Sequence, residues 1–89
     1  MVIEFDKSFS KSLDKLNNNI ISGKIKKIIN EIEKADSISN INNVKKLIGF
    51  QNYFRIKIGF YRLGFELRNG STVRLLIFCH RKDIYKKFP

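Results

Sequence analysis

The sequence predicts an α+β fold, two N-terminal helices packed on one face of an antiparallel β-sheet meander. Two observations carry it. Apolar residues recur at three- and four-residue spacing through the first third of the chain, then with period two from Tyr53 onward. The alternating segments are separated by short glycine-containing connections, which join antiparallel neighbours. Strands that follow a pair of helices in this way form a sheet with the helices on one side. At 89 residues, with 43% hydrophobic residues and 11 aromatics, the chain reads as a single domain spanning residues 1–89 with one core.

Val2 to Phe5 alternates and predicts a short first strand. Asp6 or Ser8 caps a helix whose Phe9, Leu13, Leu16 and Ile20 form one apolar stripe. Asn17, Asn18 and Asn19, then Ser22 and Gly23, weaken helical continuity. A second helix is therefore expected from about Lys24, burying Ile25, Ile28, Ile29, Ile32 and Ala35 and exposing Lys26, Lys27, Glu31 and Lys34. The polar run DSISNINN, residues 36–43, predicts a connection with room for one helical turn. Strands are expected at about 53–58, 61–68 and 72–79, and a short turn or helix in the tail from Arg81 to Pro89.

The hydrophobic pattern also predicts register. With Gly59-Phe60 as a type II′ turn, Ile58 pairs with Tyr61, Lys57 with Arg62, Ile56 with Leu63 and Arg55 with Gly64. In the next hairpin, a three-residue Asn69-Gly70-Ser71 loop pairs Leu67 with Val73, Glu66 with Arg74 and Phe65 with Leu75. Extended without interruption, it also pairs Leu63 with Ile77, Arg62 with Phe78 and Phe60 with His80. One sheet face then carries Arg55, Lys57, Arg62, Gly64, Phe78 and His80, with Gly64 leaving space for a base or ribose. Cys79 falls on the core face as a buried, inert thiol.

Charge narrows the function. The net charge is +10, divided unevenly. Residues 1–47 hold nine lysines and six acids, net +3; residues 48–89 hold nine basic residues and two acids, net +7. All five arginines lie in the second part. Arginine's planar fork matches phosphate oxygens, and Arg55, Lys57 and Arg62 on one face, with no acid among them, point to a polyanion site. Like charges on adjacent strands cost stability, so a merely solvated face would mix signs. Arg74 and Lys82 join the expected phosphate-binding set. HRKDIY, residues 80–85, adds groups able to move protons: His80 and Tyr85, with Arg81 to stabilise a phosphate. One His and one Cys without an acid pair at ligand spacing predict no metal or other cofactor. With no membrane-length apolar run, no basic-then-apolar leader and a single cysteine, a soluble cytoplasmic protein without disulfides is expected.

The order VKKL, YFRIKIGFYRLGFEL, NGSTVRLLIFCHRKDIY resembles the RelE/ParE superfamily of type II toxins, closest to its RelE-like branch. The resemblance implies the RelE-like toxin fold and a ribosome-dependent mRNA interferase, and the metal-free route to cutting RNA is attack by its own 2′-hydroxyl on the adjacent phosphate. It implies a cognate antitoxin in a hetero-oligomer, with ribosomal RNA and mRNA as further partners. Matched to the family motifs, Arg55 and Lys57 are the basic strand positions, Arg62 the arginine of the G-x-Y-R step, and Arg81 and Tyr85 the final Arg and Tyr. His80 matches a histidine found in many members. Arg62, His80, Arg81 and Tyr85 are thus the expected catalytic set. Phe60 stands where members often have aspartate, and Cys79 where they often have glycine. The gyrase-inhibiting ParE-like branch and a basic domain that only binds nucleic acid are the alternatives.

Overall fold

The computed structural model describes residues 1–16 and 19–89. Its order is β1 (Val2–Phe5), α1 (Lys7–Leu16), α2 (Asn19–Lys34), a 3-10 turn at Ile38–Asn40, β2 (Val44–Lys46), β3 (Tyr53–Ile58), β4 (Tyr61–Arg68), β5 (Thr72–His80) and α3 (Ile84–Lys87). The five strands form one sheet in the order β1-β5-β4-β3-β2. The meander β3-β4-β5 is its centre, as predicted. β2 lies antiparallel on β3, an edge strand that the period-two reading from Tyr53 missed. β1 adds to the other side, parallel to β5.

Asp6 starts α1: its Oδ2 accepts the Ser8 amide at 3.0 Å and the Ser8 hydroxyl at 2.6 Å. Two serines then cover the part of β5 that β1 does not reach. Ser8 Oγ also lies 2.6 Å from the Leu76 carbonyl, so its one proton is shared between that oxygen and Asp6 Oδ2, and Ser12 Oγ accepts the Phe78 amide at 2.9 Å. Helix hydroxyls thus satisfy backbone groups that an edge strand would expose.

Two helix expectations need correction. Ile20 is 73% exposed and belongs to α2; Ile21 is the buried residue. Of the residues expected to weaken the helices, Asn17 and Asn18 lie outside the described residues, while Asn19, Ser22 and Gly23 lie inside α2. A glycine in a helix costs only about 1 kcal/mol, less than the burial of Ile21, Ile25 and Ile32 on one stripe returns. That stripe, with Phe9 of α1, closes a core over Ile56, Ile58, Leu63, Phe65, Val73, Leu75 and Phe78.

The first hairpin has the predicted register, from Ile58↔Tyr61 to Arg55↔Gly64, with Gly59 at φ +60° as the turn requires. The second holds as far as Phe65↔Leu75. A β-bulge there shifts the pairing by one residue, giving Gly64↔Ile77, Leu63↔Phe78, Arg62↔Cys79 and Tyr61↔His80. The shift exchanges faces for the end of β5: Phe78 is 1% exposed in the helix-side core, and Cys79 turns to the other face. There α3 forms a second small core with Leu47, Cys79, Ile84 and Phe88. The far face of the sheet is therefore half covered. A Cβ at Gly64 would lie 2.9 Å from the Phe88 ring, so Phe88 fills the space expected to admit a base or ribose.

Candidate functional site

What α3 leaves uncovered is a cationic cleft of about 330 Å³ lined by Asn43, Val44, Lys45, Arg55, Lys57 and Arg62. The strands build it by alternation. Arg55 and Lys57 leave β3 on the same side, Arg62 stands opposite Lys57 on β4, and Lys45 of β2 stands opposite Arg55. Lys45 is a member that sequence reasoning missed because β2 was not recognised. Its signal was VKK, three residues too few to show a period.

Arg62 is the best-anchored cation of the group. Its Nη1 donates to the Gly59 carbonyl at 2.9 Å and to the Tyr61 carbonyl at 2.8 Å, fixing the guanidinium over the β3–β4 turn. Burial first, then the positive charges of Arg55 and Arg81, hold it below its ordinary pKa, while Tyr85 acts in the opposite sense. An arginine in that setting stays charged at neutral pH and gains most from an incoming anion.

The other catalytic candidates separate into two groups. Arg55 carries its Cζ 5.8 Å from the centre of the Tyr85 ring, so α3 brings Tyr85 to the arginine cleft. Arg81 lies over the exposed ring of Phe60, at 5.3 Å, on the turn that anchors Arg62. His80 is placed otherwise. The bulge turns it to the Tyr61 side, where it meets Tyr61 edge-on at 5.8 Å and stacks with Phe60 at 6.4 Å. It lines a different groove, shared with Lys11, Lys15 and Lys87. Its Nδ1 accepts the Lys82 backbone amide at 3.2 Å, which in the neutral ring leaves the proton on Nε2. The expected face of Arg55, Lys57, Arg62, Phe78 and His80 is thus corrected by the bulge: the three cations stay together and the two rings leave.

Arg74 does not join the cleft. Because β1 runs beside β5, Glu4 stands opposite Arg74, and the guanidinium binds Glu4 at 3.2 Å and Asp6 at 2.6 Å. Glu66 sits opposite Arg74 as predicted but takes Arg68 instead, at 2.8 Å. Lys82 is exposed in the turn after β5. Among the described residues every ion pair uses Arg68 or Arg74. Three acids are gathered at that end of the sheet, leaving the Arg55–Arg62 cleft without a matching carboxylate. Burial pushes the Cys79 thiol up, away from the reactive thiolate. No three His, Cys, Asp or Glu side chains gather as a metal ligand set among the described residues.

This fold has relatives. Residues 3–85 match the family described as the ParE toxin of type II toxin-antitoxin systems. The chain belongs to this toxin family. Within the RelE/ParE superfamily it is RelE-like. The toxin is 39% identical over 90 residues to Toxin RelE3 of Methanocaldococcus jannaschii, covering 100% of both chains. Its structure matches the RelB-RelE antitoxin-toxin complex from Methanococcus jannaschii with a TM-score of 0.79 and 40% identity, covering 97% of this chain and 99% of that one. The toxin-antitoxin complex RelBE2 from Mycobacterium tuberculosis shares the fold at a TM-score of 0.70 and 21% identity, over 92% of each chain. No helix among the described residues of this toxin is long and apolar enough to cross a membrane.

Proposed function

We propose that this toxin is a ribosome-dependent endoribonuclease that cleaves mRNA without a metal, and that a cognate antitoxin neutralises it in a hetero-oligomeric complex. The observation that carries the reading is the cleft of Lys45, Arg55, Lys57 and Arg62, free of acids, with Tyr85 at its edge. In the proposed reaction the 2′-hydroxyl oxygen attacks the adjacent phosphorus and gives up its proton to a base. The bond from phosphorus to the 5′-oxygen breaks and that oxygen takes a proton, leaving a 2′,3′-cyclic phosphate and a 5′-hydroxyl. The crowded phosphate is the group that most needs stabilising, and a preorganised guanidinium serves it best. Arg62 holds that phosphate, Arg55, Lys57 and Lys45 extend the positive field, and Arg81 assists at the turn.

Tyr85 is the proton-transfer group at the cleft. His80, with its proton on Nε2 and its ring beside Phe60, donates to the strand where it leaves the cleft. Ribosomal RNA is the polyanion that docks a protein of net charge +10, which places the activity in the cytoplasm. The similarity to a toxin solved with its RelB antitoxin supports the protein partner.

Primer extension on mRNA in a translation extract tests the reading. Cuts within translated codons are expected only when ribosomes are present. Arg62→Ala should lower the cleavage rate by about 10²–10³-fold while keeping the fold, a loss on the scale of removing one donor to the developing charge. Intact mRNA together with inhibited DNA supercoiling would instead support the ParE-like gyrase reading.

A further inference from the structure

The lysines of α2 are, by sequence, only a solvated helix face. In the structure, α2 lays one of them against the turn that anchors Arg62. Lys24 Nζ lies 3.9 Å from where a Cβ of Gly59 would stand, and the Gly59 carbonyl is one of the two to which Arg62 Nη1 donates, at 2.9 Å. Cations from the helix and the sheet therefore converge on a single residue, which has no side chain to separate them. Around this point lies a second cleft, about 380 Å³, lined among others by Lys24, Lys27, Asn42, Asn43 and Lys57. It shares Asn43 and Lys57 with the arginine cleft, so the two clefts adjoin. Glu31 is the one acid in its lining, against three lysines.

Resting on the RNA reading above, we infer that Lys24, supported by Lys27 one turn along α2, holds a second backbone phosphate of the RNA strand. The strand then runs from Arg62 over the β3–β4 turn onto α2. A nucleic-acid backbone fits this groove better than an acidic peptide does. Apart from the Glu31 carboxylate, the polar side chains of this second cleft are ammonium and amide groups able to donate to phosphate oxygens, and its apolar side chains among the described residues are Ile28 and Ile58. Arg62 places the scissile phosphate, and Lys24 fixes the register of the neighbouring one. Lys24 is thus a positioning residue.

The test uses fluorescence anisotropy with uncleavable 2′-O-methyl oligonucleotides, an eight-nucleotide strand and a dinucleotide with a single phosphate, the latter by competition. Lys26→Gln, the same charge change on an exposed part of α2 outside the groove, is the control, and thermal melts check the fold of each variant. Lys24→Gln should weaken the eight-nucleotide strand by roughly threefold to tenfold, the scale of one ordinary hydrogen bond. It should lower the salt slope by about 0.7, the value for one phosphate contact on a single strand, and leave the dinucleotide unaffected. Equal losses for Lys24→Gln and Lys26→Gln, or an equal loss on the dinucleotide, would overturn the subsite while leaving the RNA reading in place. A wild-type protein that binds neither strand but binds poly-glutamate would remove the RNA reading and the subsite together.

Discussion

Alanine at Gly64 would place its methyl group 2.9 and 3.0 Å from the two Cδ atoms of Phe88 and 3.0 Å from Cγ2 of Ile77. Carbon atoms settle at about 3.5–4.0 Å, so three contacts would each be too short by about half an ångström or more. Neither neighbour yields easily: Phe88 is 5% exposed beneath the tail, and Ile77 is a β-branched residue paired with Gly64 itself. Overpacking of this kind costs about 2 kcal/mol, which in a chain of this size lowers Tm by about 8–16 °C. The relief should come through Phe88. In a double-mutant cycle with Phe88→Ala, the combined loss should fall short of the sum of the single losses by about 1 kcal/mol or more. Urea denaturation of the four proteins measures this. Because α3 carries Tyr85 to Arg55, Gly64→Ala should also slow cleavage. A Gly64→Ala protein as stable as wild type, or strictly additive losses, would refute the claim that the tail closes this face of the sheet.

Gly23 lies within α2 with nothing within 4 Å of a Cβ, so Gly23→Ala should stabilise the protein by about 0.5–1 kcal/mol, measured by thermal melting. Ser12→Ala removes the partner of the Phe78 amide and should cost about 1 kcal/mol, with faster hydrogen exchange at that amide. Asp6 is held well below the usual carboxylate range, first by the Ser8 hydroxyl, then by the Ser8 amide and Arg74. A depressed folded-state value adds stability above the unfolded pKa and loses it as pH falls. The stability gap between wild type and Asp6→Asn should therefore be complete above about pH 5 and narrow steadily below about pH 4. A gap unchanged down to pH 2.5 would contradict the assignment.

The parts of this molecule that could be read from sequence are those governed by local periodicity. Alternation from Tyr53 onward determined three strands, both turns and the first hairpin's register, because a one-residue slip would have turned Ile56 and Ile58 to solvent. The same logic brought Arg55, Lys57 and Arg62 together. It failed where the structure depends on distant partners. The bulge beside Leu76 leaves no mark in the pattern, since Leu76, Ile77, Phe78 and Cys79 are all apolar and accept either face. That one residue moved His80 and Phe78 to the helix side. Arg74 was misassigned because nothing local reveals β1 pairing parallel with β5. Gly64 read as an opening because its neighbour across the face, Phe88, lies 24 residues further along. Lys24 is the mirror case: an ordinary helix lysine until the fold lays it on Gly59.

We propose that the RNA's own 2′-hydroxyl is the nucleophile in a strand held by Arg62. It is tested most directly in a reconstituted translation system, with mRNA carrying a single 2′-deoxy nucleotide immediately 5′ of the mapped cut. This one change should abolish cutting there, and the unmodified message should yield a 2′,3′-cyclic phosphate and a 5′-hydroxyl. Undiminished cleavage at the deoxy position would contradict it.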